Sequence, residues 1–85
     1  MDILEKVKYI VSRHLKIEKE RIQEESSMVE DFEADQFDLV QIIMDVEYEF
    51  NISIIEEEMP KVILIKDVVE YVKAHLPSRS ARALT

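Results

Sequence analysis

The sequence predicts an all-α protein, a bundle of four helical segments, three longer and one short, with a long loop after the first. Three observations carry that prediction. Apolar residues recur at helical spacing in separate stretches. Residues suited to capping stand at the ends of those stretches. The chain has 85 residues, which makes one domain whose core has to be efficient to hold it folded.

In "DILEKVKYIVSRHL", Ile3, Val7, Ile10, Val11 and Leu15 recur at helical spacing, and Asp2 is placed to cap the start. Residues 16–34 keep no sustained period, but Ile17, Ile22, Met28 and Phe32 are spaced through them as anchors. A loop that long in a small domain is usually functional or pinned by its side chains. "ESSMVEDF" suggests a short pinned turn, with Ser27 and Glu30 at capping-box spacing. Asp35 then opens the second helix, with Asp38 three residues on, and both suit the positive end of the helix dipole. Asn51 follows the last periodic residue and tolerates the left-handed conformation that ends a helix.

"EEEMPK" reads as one helical turn that Pro60 cuts off or distorts. The final helix is expected from about Ile65 to Leu76, with Ile65, Val68, Val69, Val72 and Leu76 on one face and Pro77 as its stop. The domain is therefore drawn as 1–77, and the small, basic tail 78–85 is expected to be disordered.

Composition excludes several function classes. There is no cysteine, so neither disulfides nor thiolate metal sites are available. No run approaches 18 apolar residues, which argues against a membrane span, and the charged start is unlike a signal peptide. A cytoplasmic, monomeric protein is the expectation. With no glycine there is no glycine-rich phosphate loop, which removes kinases and dinucleotide enzymes. The net charge is -8, and Ile22 to Pro60 holds 13 Asp and Glu residues with no Lys, Arg or His. That distribution disfavours nucleic acid and favours basic protein surfaces as partners.

The second helix is apolar on two sides. At about 100° per residue, Leu39, Ile42, Ile43, Val46 and Phe50 form a core-facing stripe. Phe37, Val40, Met44 and Tyr48 form a second, nearly opposite stripe, with Asp38, Asp45 and Glu49 between them on one side and Glu47 on the other. A bundle this small rarely buries both faces. The second stripe is expected to be exposed, and an aromatic and methionine patch rimmed by acids suggests a docking surface.

"VEDFEADQFDLVQIIMDVEYEF" resembles the acyl carrier proteins of fatty-acid synthesis, whose signature reads roughly Val-Glu-Asp-Leu-Gly-Ala-Asp-Ser-Leu-Asp. Val29, Glu30, Asp31, Ala34, Asp35 and Asp38 match it, while Phe32 and Phe37 replace leucines. The resemblance runs over about residues 2 to 76. It implies a helical bundle with a cavity that can shelter an acyl chain, lined here by Met28, Phe32, Leu39, Ile43, Val46, Met59, Val62 and Val68. It also implies docking on basic patches of fatty-acid or polyketide synthesis enzymes through Asp35, Phe37, Asp38, Val40, Gln41, Met44, Glu47 and Tyr48.

Two departures matter. Glu33 stands where the family usually has glycine, and Gln36 stands where the family has the serine that becomes joined to 4'-phosphopantetheine. The lone pair on a carboxamide nitrogen is delocalised and its oxygen forms no stable phosphodiester, so Gln36 is not modifiable. Ser26 and Ser27 in the loop and Ser53 after the helix are not at the motif position. As written, the chain is expected to keep the carrier's shape without cofactor or carrier chemistry, either as a protein that no longer carries or as an ordinary carrier whose serine was replaced deliberately.

Other readings are weaker. "DFEADQFDLVQI" begins like a calcium loop, but Gln36 replaces the required glycine and Ile42 the terminal glutamate. His14 and His75 lack metal-ligand spacing and suit helix C-termini. No metal site and no enzymatic activity are expected. The competing reading is a small acidic regulatory module unrelated to acyl transfer.

Overall fold

The computed structural model describes residues 2–76. It contains α1 (Ile3–Leu15), α2 (Gln36–Phe50) and α3 (Ile65–His75), with short 3-10 segments at Lys19–Arg21 and Glu56–Lys61. The expected fourth, short helix is thus a 3-10 segment with Pro60 inside it. Pro77 as a helix stop and the expected disorder of 78–85 lie outside the described residues.

The predicted caps form. The Asp2 carboxylate accepts the Glu5 N–H at 2.8 Å. Asp35 and Asp38 make a reciprocal box at the start of α2, each carboxylate accepting the other's backbone N–H, at 2.8 and 3.1 Å. Asn51 ends α2 in the left-handed conformation, φ 56° and ψ 50°. In the loop, Ser27 Oγ accepts the Glu30 N–H at 3.0 Å, but Asp31 rather than Glu30 returns the bond, taking the Ser27 N–H at 2.6 Å.

α3 has no side-chain cap of the usual kind. Its first N–H groups are satisfied instead by the long loop. Ile65 N–H donates to Ser26 O at 3.0 Å and Lys66 N–H to Glu24 O at 2.9 Å. Met28 N–H donates back to Ile63 O at 3.0 Å. Met28 is fully buried between these strands of backbone, and Ser26 and Ser27 are buried with it. The unpaired donors that every helix N-terminus carries are here met by a distant segment.

The core joins Val7, Ile10 and Val11 of α1, Ile42, Ile43 and Val46 of α2, and Ile65, Val68, Val69 and Val72 of α3. Ile22, Met28, Ala34, Ile54 and Val62 complete it from the connections. Of the loop anchors, Ile22 and Met28 are buried outright, and Phe32 packs half-buried against the cluster.

Three residues have positive φ, namely Lys16, Glu33 and Asn51, each at 56°. Asparagine tolerates this region, whereas side chains such as Lys and Glu are disfavoured there by roughly 1–2 kcal/mol. Glu33 is exposed, so its side chain recovers none of that cost by burial. Glu33→Gly should therefore raise stability by up to about 1 kcal/mol, after the extra backbone entropy that glycine loses. Chemical denaturation of the two proteins measures it, and an unchanged or lower midpoint for the glycine variant would remove the strain argument.

Candidate functional site

α2 sorts its two stripes as the periodicity requires. Ile42, Ile43 and Val46 are buried, and Leu39 and Phe50 are partly buried against the core. On the other side Phe37 is 70%, Met44 56% and Tyr48 90% exposed. Val40 and Gln41 are half-buried. The exposed aromatic and methionine stripe expected from the sequence is present.

Not every residue expected at a docking face is free. The Asp35 and Asp38 carboxylates are engaged in the capping box. Glu47 Oε2 accepts the Ile54 N–H at 2.7 Å and so ties the chain after α2 back onto the helix. The unengaged part of that set is Phe37, Val40, Gln41, Met44 and Tyr48. Ile55, exposed by 54%, adds an apolar side chain that the sequence analysis overlooked because it lies outside any periodic segment.

Beside the start of α2 lies a cleft of about 320 Å³. Its walls are Val29 and Ala34 from the loop, Gln36, Leu39, Val40 and Ile43 from α2, and Met59, Pro60, Val62 and Ile63 from the segment before α3. Of the residues expected to line a cavity, Leu39, Ile43, Met59 and Val62 line this one. Met28, Val46 and Val68 do not, because all three are fully buried in the packed core. Phe32 borders a different, shallow depression with Arg21 and Asp31. Val29, Ala34, Val40, Pro60 and Ile63 were missed, since only the tertiary packing of loop against helix brings them to one place.

A larger depression, about 760 Å³, lies between the start of α1 and α3. Six of its nine lining residues are charged: Asp2, Glu24, Lys66, Asp67, Glu70 and Lys73. Such walls favour water over an apolar ligand, and none of them belongs to α2. The small cleft is the better candidate site despite its size.

Gln36 occupies the first turn of α2 and is exposed at the rim of the cleft. Its carboxamide offers no hydroxyl for a phosphodiester. The neighbouring serines do not replace it, since Ser26 and Ser27 are buried and their Oγ atoms accept the Gln23 and Glu30 N–H groups. Among the described residues, no three His, Cys, Asp or Glu side chains are grouped to hold a metal ion. No helix of the described residues is long and apolar enough to cross a membrane.

The acidic middle of the chain is only locally compensated. Lys6 pairs with Glu49 at 3.1 Å, His14 with Asp45 at 2.5 Å, and Lys61 with Glu58 at 3.2 Å. His14 thus does more than face a helix dipole, because it joins α1 to α2. His75 keeps the expected terminal role, its Nδ1 2.8 Å from Tyr71 O and its ring stacked on Tyr71 at 4.0 Å. Glu24, Glu25, Glu30, Asp31, Glu33 and Glu57 stand exposed.

Comparison with known proteins places these features in context. No family model matches the chain. An acyl carrier protein of Clostridium acetobutylicum is 45% identical over 73 residues, covering 86% of this chain and 95% of the relative. Acyl carrier proteins of Helicobacter hepaticus and Wolinella succinogenes are each 39% identical over 75 residues, covering 88% of this chain and 99% of theirs. Among solved structures, the acyl carrier protein of Enterococcus faecalis superposes with a TM-score of 0.75 at 26% identity, over 85% of this chain and 91% of that one.

Two outcomes follow from the charge and burial pattern. Moderate salt or magnesium should raise the melting temperature relative to low ionic strength, because the exposed acids repel one another over distances that salt screens. Thermal melts that show no rise would remove the repulsion argument. Met44→Lys should leave helicity and melting nearly unchanged, whereas Val46→Lys should destabilise the fold by several kcal/mol through an unpaired buried charge. Circular dichroism of both variants distinguishes them, and equal damage would mean that the outer stripe is covered after all.

Proposed function

This chain belongs to the acyl carrier protein family, and on that premise we propose that it serves fatty-acid or polyketide synthesis as a carrier-shaped docking protein that holds no acyl group of its own. The family is one of carriers and not of catalysts, so its work consists in being recognised. The observation that carries the proposal is the outer face of α2. Phe37, Met44 and Tyr48 are exposed together on the most acidic part of the chain, while Gln36 stands at the head of the same helix, where we read it as taking the place of the attachment serine.

Each half of that observation has a physical consequence. An apolar stripe flanked by acids is suited to a partner surface of apolar depressions ringed by lysine and arginine. Opposite charge accelerates the encounter, and burial of the aromatic and thioether side chains supplies most of the affinity. Gln36 leaves that surface intact and removes only the nucleophile. The protein can then occupy a carrier-docking site without delivering anything to it, in the cytoplasm where such enzymes work.

The proposal is tested by intact mass. Incubated with coenzyme A, magnesium and a broad-specificity phosphopantetheinyl transferase, the chain should stay unmodified, and Gln36→Ser should gain one phosphopantetheine group. The exchange should barely change stability, because the position is exposed. Modification of the unaltered chain at any residue would overturn the non-carrying reading. A folded serine variant that still resists the transferase would show that the surface has left carrier duty altogether, in favour of a purely interacting role.

A further inference from the structure

α2 is not alone in exposing an aromatic side chain. On α1, Lys6, Tyr9, Arg13 and Lys16 stand at i, i+3, i+7 and i+10, on one outward face. Tyr9 is 50% exposed, and the Arg13 guanidinium lies 5.5 Å from the centre of its ring. Among the described residues Arg13 has no acid partner. Beside this face α1 is tied to α2 by His14 with Asp45 and by Lys6 with Glu49. Asp45 and Glu49 follow the outer stripe around α2 at helical spacing, so the ion pairs lie between Tyr48 and Tyr9. A dent of about 190 Å³ crosses the seam, lined by Lys6, Tyr9 and Ile10 of α1 and by Glu49 of α2. The two helices share one surface there.

We propose that the docking face crosses this seam onto Tyr9 and Arg13, where it receives an acidic side chain of the otherwise basic partner surface. The inference rests on the docking reading above and names the partner's chemistry at one edge. Aromatic residues, methionine and arginine are the types enriched in protein interfaces and at their energetic centres, and here both helices supply them. At the roughly 30 Å³ share of a water molecule, the dent holds about six heavy atoms, the size of one side chain. Charge decides which kind. Lys6 is compensated by Glu49, so the exposed Arg13 sets the sign of this shoulder. A partner lysine would meet its own charge, whereas a carboxylate can take the guanidinium in two parallel hydrogen bonds.

The shoulder has a physical use. From either end the stripe of α2 looks much the same, with Phe37 near one end and Tyr48 near the other. Acids stand beside both, Asp35 and Asp38 at the head and Glu47 and Glu49 at the tail. A ring of lysine and arginine could take such a stripe either way round. Arg13 lies on one flank only, so an acid opposite it fixes the direction, and the reversed pose sets Arg13 against the partner's cations.

The test is a competition. The full chain, its unmodified mass verified first, competes with an acyl-loaded, serine-bearing acyl carrier protein for a bacterial condensing enzyme of fatty-acid synthesis at low ionic strength. Arg13→Glu makes the chain more acidic, so attraction by net charge alone would strengthen inhibition. The proposal requires the reverse, inhibition at least about five-fold weaker. Arg13→Gln should weaken it about two-fold and Tyr9→Ala about three-fold. Lys66→Glu makes the same charge change at an exposed position of α3 and should inhibit at least as well as the unaltered chain. Circular dichroism checks each variant's fold. A folded Arg13→Glu that inhibits as well as the unaltered chain would overturn the proposal, as would equal weakening by Lys66→Glu. Should Arg13→Glu unfold, undiminished inhibition by Arg13→Gln and Tyr9→Ala would overturn it instead. An unaltered chain that does not inhibit, or a Met44→Lys variant that inhibits equally well, would overturn the docking reading and this inference with it.

Discussion

The structure depends above all on the backbone clamp between the long loop and the start of α3. A helix N-terminus leaves N–H groups without partners, and α3 opens with Leu64 and Ile65, which have no side chain able to accept them. Ser26 O and Glu24 O do so instead, and Met28 N–H returns a bond to Ile63 O. These few bonds convert a segment with no regular period into a fixed wall. They also explain why Met28, in the middle of a loop, is as fully buried as any residue of the helices. Loss of the Met28 side chain would be expected to cost about 2–5 kcal/mol, as for other buried methionines.

The clamp has a consequence for the site. Once 26–28 are fixed against 63–65, the chain must turn within a few residues to reach the cap at Asp35. It does so through Glu33 in the left-handed region, with Ala34 N–H bonded to Met28 O at 2.9 Å. In a chain without glycine this turn is made by a residue ill suited to it. Glutamate there places another carboxylate near the head of α2, beside Asp35 and Asp38. Local strain and local negative charge therefore share one origin, and both border the cleft at Gln36.

α2 connects these features to function. Its inner stripe locks it to α1 and α3, and His14 with Asp45 and Lys6 with Glu49 add polar ties to α1. Its outer stripe is left free, and Glu47 holds the chain after Asn51 close beneath it through Ile54 N–H. A rigid helix with an exposed apolar face presents a docking surface at little entropic cost on binding. The same helix contributes four walls of the cleft, so the outer surface and the interior slot meet at Gln36.

The sequence by itself determined the helices, their caps and the two faces of α2, because these follow from local periodicity and from residues within a few positions of each other. Asp2 with Glu5, Asp35 with Asp38, and Asn51 are all short-range features of this kind. It also determined that position 36 carries a carboxamide and no hydroxyl, which is covalent chemistry and needs no fold. Only the tertiary structure decided which side chains share the cleft. Leu39 and Met59 meet there while Val46 and Val68 lie elsewhere in the core, although all four are apolar and in or beside helices. Helical period assigns a residue to a face but not to a depth along it, and depth is set by where distant backbone is clamped. The exposure of Ile55 and the engagement of Glu47 were decided the same way, by contacts between segments whose spacing in sequence carries no sign of their meeting.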